Sequence, residues 1–105
     1  MSYKIYRTET AEACLTKIVL YIAQNFGKEI ALQKLDDIEQ RINSLKDNPY
    51  TGSDPGYLVL KRQGFKVLIL EKDLVLYKVF EERKEVIVYA ITDQRQDYLR
   101  ILRGV

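Results

Sequence analysis

Histidine and tryptophan are absent from this sequence, and cysteine occurs once, at Cys14. A single cysteine excludes an internal disulfide. Without histidine there is no zinc site of the Cys/His type and no Ser–His–Asp or Cys–His nucleophile. Cys14 has no base to activate it, so it reads as a small core residue or a quiet surface thiol. Long apolar runs are missing too, and none approaches the ~20 residues of a membrane-spanning helix. The opening Met-Ser-Tyr-Lys-Ile-Tyr holds neither the apolar region nor the cleavage site of a secretory signal. The expectation is a cytoplasmic protein with no membrane association, no metal and no cofactor. Proline and glycine are scarce, two and five residues. Both prolines and two of the glycines crowd into Pro49 to Gly56, which therefore reads as a loop.

What the chain does contain is ordinary for a globular protein: 47% apolar and 30% charged residues. Its 105 residues fit a single domain spanning residues 1–105. The net charge of +2 is unevenly spread. Residues 1–56 carry seven Lys/Arg against eight Asp/Glu, and residues 57–105 carry ten against seven. From Tyr57 to Leu70 there are Lys61, Arg62 and Lys66 and no acid. Such a surface suits phosphates or an acidic partner. It equally suits a solvated face that keeps a sheet edge from pairing with another chain.

The periodicity of the apolar residues predicts an α+β fold. Tyr3 to Arg7 alternates as a short strand. Thr8 can cap a following helix, with Glu9 and Glu12 at its positive end. Ala11, Leu15, Ile18, Ile22 and Phe26 fall on one helical face, and Ala31, Leu35, Ile38, Ile42 and Leu45 on another. Gly27 separates the two helices, and so short a connection folds them into an antiparallel hairpin. Proline at position 49 ends the second helix. Strands follow at Leu58 to Leu60, Phe65 to Leu70, Leu74 to Phe80 and Val86 to Ile91, joined by turns short enough to make them antiparallel neighbours. The central strands are apolar on both faces, so one face takes the helix pair and the other needs a second cover or a ligand. Tyr3, Tyr21, Tyr77 and Tyr89 are expected in the core or at its edge. Asp93 can cap a short C-terminal helix containing Tyr98, Leu99 and Leu102.

This succession resembles the RelE/ParE superfamily of toxins from bacterial type II toxin–antitoxin systems. The resemblance covers nearly the whole chain. It rests on the N-terminal strand leading into the helix with Ile18 to Ile22, and on Leu45-Lys46-Asp47-Asn48-Pro49 followed by Gly52. It rests further on Gly64-Phe65-Lys66, Leu76-Tyr77-Lys78-Val79 and Arg95-Gln96-Asp97-Tyr98. The implied fold is an N-terminal strand and a two-helix hairpin packed on a twisted antiparallel sheet, with a short C-terminal helix. The implied role is growth inhibition, as in plasmid stabilization, under the control of a cognate antitoxin that forms a hetero-oligomer with the toxin. The target is DNA gyrase for ParE-like members and ribosome-bound mRNA for RelE-like ones, which are mRNA interferases.

Cleavage of RNA by its 2′-hydroxyl needs a base, an acid and cations for the phosphate. With no histidine, Lys, Tyr, Glu or Asp must supply the proton transfers. Under the nuclease reading the resemblance implies catalytic roles for Arg95, a planar clamp for phosphate, and Tyr98. Target-binding roles fall to Lys61, Arg62, Lys66, Lys78 and Arg95. Lys66 and Lys78 stand where the family usually has arginine, and the positive excess is small for docking on ribosomal RNA. The long Phe65-to-Phe80 hairpin favours the ParE-like layout, hence gyrase. The alternatives are the RelE-like nuclease and a diverged interaction module without toxicity.

Overall fold

The computed structural model describes residues 2–93. Its elements are β1 (Lys4–Arg7), α1 (Glu9–Phe26), α2 (Lys28–Asn43), a 3-10 turn (Ser44–Lys46), α3 (Leu58–Arg62), β2 (Phe65–Ile69), β3 (Asp73–Phe80), a second 3-10 turn (Glu81–Arg83) and β4 (Glu85–Asp93). Thr8 caps α1 as its sequence position suggests, its hydroxyl oxygen accepting from the Ala11 N–H at 3.1 Å. Gly27 alone joins the two long helices. Its φ of +99° is open to glycine and strained for other residues, and it lets one residue end α1 and begin α2.

The sheet runs β1-β4-β3-β2. β2, β3 and β4 form the expected antiparallel meander, and β1 joins it beside β4 in parallel, Lys4 opposite Glu85 and Arg7 opposite Val88, so the sheet as a whole is mixed. One face packs on the helix hairpin. Ala11 and Leu15 of α1, Ile38 and Ile42 of α2, and Leu45 meet Leu68, Val75, Tyr77, Val86, Val88 and Ile91. A buried ion pair ties the layers together: Asp73, 6% exposed, accepts from Lys34 of α2 at 3.1 Å.

The second face has its own cover. Leu60 of α3 is 3% exposed and packs with Phe65, Val67, Leu74, Leu76 and Ala90, with Tyr57 and Tyr89 at the margin. Here the structure corrects the sequence reading, which made Leu58 to Leu60 a strand. The outer edge of β2 is already taken at Val67, whose N–H and carbonyl exchange two 2.8 Å bonds with Ser53. A strand over residues 58–60 would have no neighbour for its backbone groups. The chain satisfies them internally as one helical turn instead, with the N–H of Lys61 on the carbonyl of Tyr57.

Two further expectations are corrected. Tyr21, expected in the core or at its edge, and Phe26, on the apolar face of the first helix, are 62% and 61% exposed. Leu20, Ile30 and Leu32 of the same two helices are also more than half exposed. Tyr77 is fully buried, and Tyr3 and Tyr89 are half-buried, as expected. Asp93 ends β4; the C-terminal helix that it was to cap lies outside the described residues. Among the described residues no helix is long and apolar enough to cross a membrane.

Candidate target-binding surface

Strand parity decides which of the basic residues stand together. In the β2–β3 pair, Lys78 is opposite Phe65 and Lys66 is opposite Tyr77. Successive strand residues point to opposite faces, so Lys78 lies on the face covered by α3 and Lys66 on the other. Sequence reading grouped them; the structure separates them. Lys61 and Arg62 are exposed on α3, and the Lys61 ammonium pairs with the exposed Asp54 at 3.4 Å. Arg95 and Tyr98 lie outside the described residues.

The Lys78 ammonium lies 4.4 Å from the Phe65 ring centre and 5.6 Å from that of Tyr89. The two rings meet edge to face, 5.2 Å between centres at 77°. Tyr89 owes its place to an irregularity. Leu76 pairs with Ala90 and Tyr77 with Val88, so Tyr89 is the extra residue of a bulge in β4, and its carbonyl accepts from the Thr8 hydroxyl at 3.1 Å. Burial raises the pKa of the Tyr89 phenol, and the nearby Arg83 charge partly opposes the rise.

Lys66 belongs to a second cluster, one that no pattern in the sequence signals. Its ammonium lies 5.7 Å from the ring centre of Tyr50. The Tyr50 hydroxyl donates to Glu81 at 2.5 Å, and the Tyr3 hydroxyl donates to the same carboxylate at 2.7 and 2.9 Å. Lys84, in the left-handed conformation at φ +53°, completes the group with an ion pair to Glu81. Hydrogen bonds from Lys84, Tyr50 and Tyr3 lower the Glu81 pKa to about 2. The same carboxylate raises that of Tyr50 to about 12. Both shifts run away from neutrality, leaving a weak base and a weak acid. The cluster clamps the N-terminal segment, the loop after α2 and the β3–β4 turn together. Among the described residues, no three metal-ligating side chains gather in one place.

Parity was legible in principle, since a turn centred on residues 71–72 fixes the partner of every residue in the hairpin. The bulge was not, and without it Tyr89 has no reason to meet Phe65.

A model of the ParE toxin of the type II toxin-antitoxin system parDE matches residues 5–98. Comparison with curated proteins by sequence gives no match. Among solved structures, the chromosomal ParDE toxin–antitoxin system from P. aeruginosa contains a chain 23% identical to this one, with a TM-score of 0.73 over 88% of this chain and 96% of that one. The RelBE2 toxin–antitoxin complex from Mycobacterium tuberculosis contains one 16% identical, with a TM-score of 0.66 over 91% and 95%. A mutant of the E. coli toxin RelE in the free state is 14% identical, with a TM-score of 0.65 over 100% and 99%. At such identities the likeness is one of fold.

Proposed function

Because this chain belongs to the family of ParE toxins of the parDE type II toxin–antitoxin systems, we propose that it arrests growth by binding DNA gyrase, in the cytoplasm, until a cognate antitoxin sequesters it. The family match over residues 5–98 carries this reading. Lys61, Arg62 and Lys78 supply positive charge on the α3 side of the sheet, with Lys66 on the opposite face and Arg95 beyond the described residues.

The antitoxin partner has a place to bind in this reading. β2 has its outer edge occupied by Ser53, whereas among the described residues β1 has β4 on one side only. Two open grooves flank β1. One of about 380 Å³ is lined by residues 2–6 and Lys46, and one of about 150 Å³ by Ile5, Arg7, Glu39, Ile42, Asn43 and Lys46. An extended antitoxin segment laid along β1 gains main-chain hydrogen bonds there and side-chain pockets beside it.

The test is controlled expression followed by two assays in parallel. The expected outcome is growth arrest with gyrase trapped on cleaved DNA and no translation-dependent mRNA cleavage. The reverse outcome, with cleavage suppressed in Arg95→Ala or Tyr98→Phe, replaces this reading with the RelE-like nuclease. Unimpaired growth with neither effect leaves a non-toxic interaction module.

A further inference from the structure

Among the described residues, Lys78 is a positive charge held in place by rings and not by a counter-ion. Arg7, Lys34, Lys61, Arg83 and Lys84 each have a carboxylate within ion-pair distance. Lys78 has none among the described residues, and what holds it is the pair of rings, Phe65 and Tyr89. A ring quadrupole attracts a cation without neutralising it. It also restricts the side chain to few rotamers, so an incoming anion has less freedom to freeze out. The β3 backbone and the β4 bulge set this arrangement before any ligand arrives.

The surroundings select what carries the anion. Phe65 is only 7% exposed and Lys78 lies over its ring, so that ring is not free for a nucleobase to stack on. Single-stranded nucleic acid is held by free ring faces together with a track of cations. On the same side of the sheet α3, anchored by Leu60, presents aliphatic surface instead: Leu58 is 59% exposed and Val59 49%. Arg62 follows them in the same helix, and residues 57–70 contain no acid. Aliphatic side chains on the same side of the sheet as unneutralised cations complement a segment that alternates carboxylates with aliphatic residues.

We propose that Lys78, with Arg62, Leu58 and Val59, forms a docking site for an acidic, aliphatic peptide segment of a partner protein. A carboxylate of the segment takes the Lys78 ammonium and its leucine-like side chains cover Leu58 and Val59. The site deepens the toxin reading and rests on it in holding that this surface engages another macromolecule.

The probe is a fluorescein-labelled dodecapeptide of alternating glutamate and leucine, titrated onto the full chain by fluorescence anisotropy. A single-stranded oligonucleotide of equal charge serves as the comparison. Binding of the peptide is expected to be tighter than that of the oligonucleotide and to weaken as salt rises. Lys78→Met is expected to weaken it about tenfold, with Lys78→Arg near wild type. Leu58→Ser, at an exposed position, is expected to weaken binding without lowering the melting temperature. Equal peptide binding by wild type and Lys78→Met overturns the proposal. So does tighter binding of the oligonucleotide that is lost in Lys78→Met, which makes the face one for nucleic acid. Growth on expression is scored separately. Arrest without peptide binding overturns this site and leaves the toxin reading, whereas peptide binding without arrest upholds the site and removes that reading.

Discussion

Glu81 shows how much a single exposed residue can organise when three donors converge on it. Its carboxylate is the common acceptor for Tyr3, Tyr50 and Lys84, and its folded pKa falls from 4.5 to about 2. A depressed carboxylate pKa contributes stability above the unfolded value, and this is lost as pH falls through the folded one. The clamp therefore weakens between pH 4.5 and about 2. Tyr50, raised from 10.0 to about 12, contributes stability that is complete below its unfolded value and is lost as pH rises through the folded one. Melting temperature followed against pH is expected to drop through the acid window in the wild type and to be flatter there in Glu81→Gln. Parallel curves for the two proteins would remove Glu81 from the account of acid stability. Tyr77 is the buried counterpart. Its hydroxyl donates to the Pro49 carbonyl at 2.8 Å and accepts from the Gly52 N–H at 3.0 Å. The close approach depends on glycine, because a Cβ at Gly52 would come within 2.5 Å of that hydroxyl. Tyr77→Phe leaves one donor and one acceptor unmatched in the interior, at a cost of about 1–3 kcal/mol. A loss of under about 0.5 kcal/mol in urea unfolding would mean that water replaces the hydroxyl.

At the scale of elements, Thr8 joins two levels of structure. Its hydroxyl caps α1 through Ala11 and also donates to the carbonyl of Tyr89, the residue extruded by the bulge. Thr8→Ala is expected to cost about 1 kcal/mol for the cap and to lower the melting temperature by about 4–8 °C. It should also shift the Tyr89 ring resonances in an NMR spectrum; unchanged Tyr89 resonances would show that the bulge is held by the sheet alone. The cap, both long helices and the three meander strands were legible in the sequence because each has its own period or end signal. α3 was not, because Leu58, Val59 and Leu60 are three apolar residues in a row and fit a strand and a helical turn alike. What decides between them is remote: Ser53 occupies the edge that a strand would need. The exposure of Tyr21 and Phe26 was hidden for a related reason. Periodicity tells which face of a helix is apolar, and not which residues of that face find cover. The parting of Lys66 from Lys78 follows from parity alone, and the meeting of Lys78 with Tyr89 needs the register slip between Leu76 and Tyr77.

The molecule as a whole leaves two kinds of surface unfinished. Around the helix connection Leu20, Tyr21, Phe26, Ile30 and Leu32 are each more than half exposed, and at the far edge of the sheet β1 has no second neighbour among the described residues. Exposed apolar side chains favour association, and an open strand edge is a template for pairing. Both are liabilities in a protein on its own and assets in one that spends its time bound. A partner that binds only the folded chain stabilises it by mass action, by about 2.7 kcal/mol at a hundredfold excess over Kd. For a chain of this size that corresponds to a rise in melting temperature on the order of 10 °C. Co-purified with its antitoxin, the protein is expected to melt at the higher temperature and to stay monodisperse at concentrations where the isolated chain associates. Tyr6 sits in β1 at 46% exposure, so Tyr6→Pro tests the edge directly: proline there distorts the strand along which the antitoxin segment would lie. The isolated variant's melting temperature supplies the baseline, and its further rise on adding antitoxin is the quantity to compare. A rise as large as in wild type would place the antitoxin elsewhere, with the exposed apolar residues around the helix connection as the remaining unfinished surface to accommodate it.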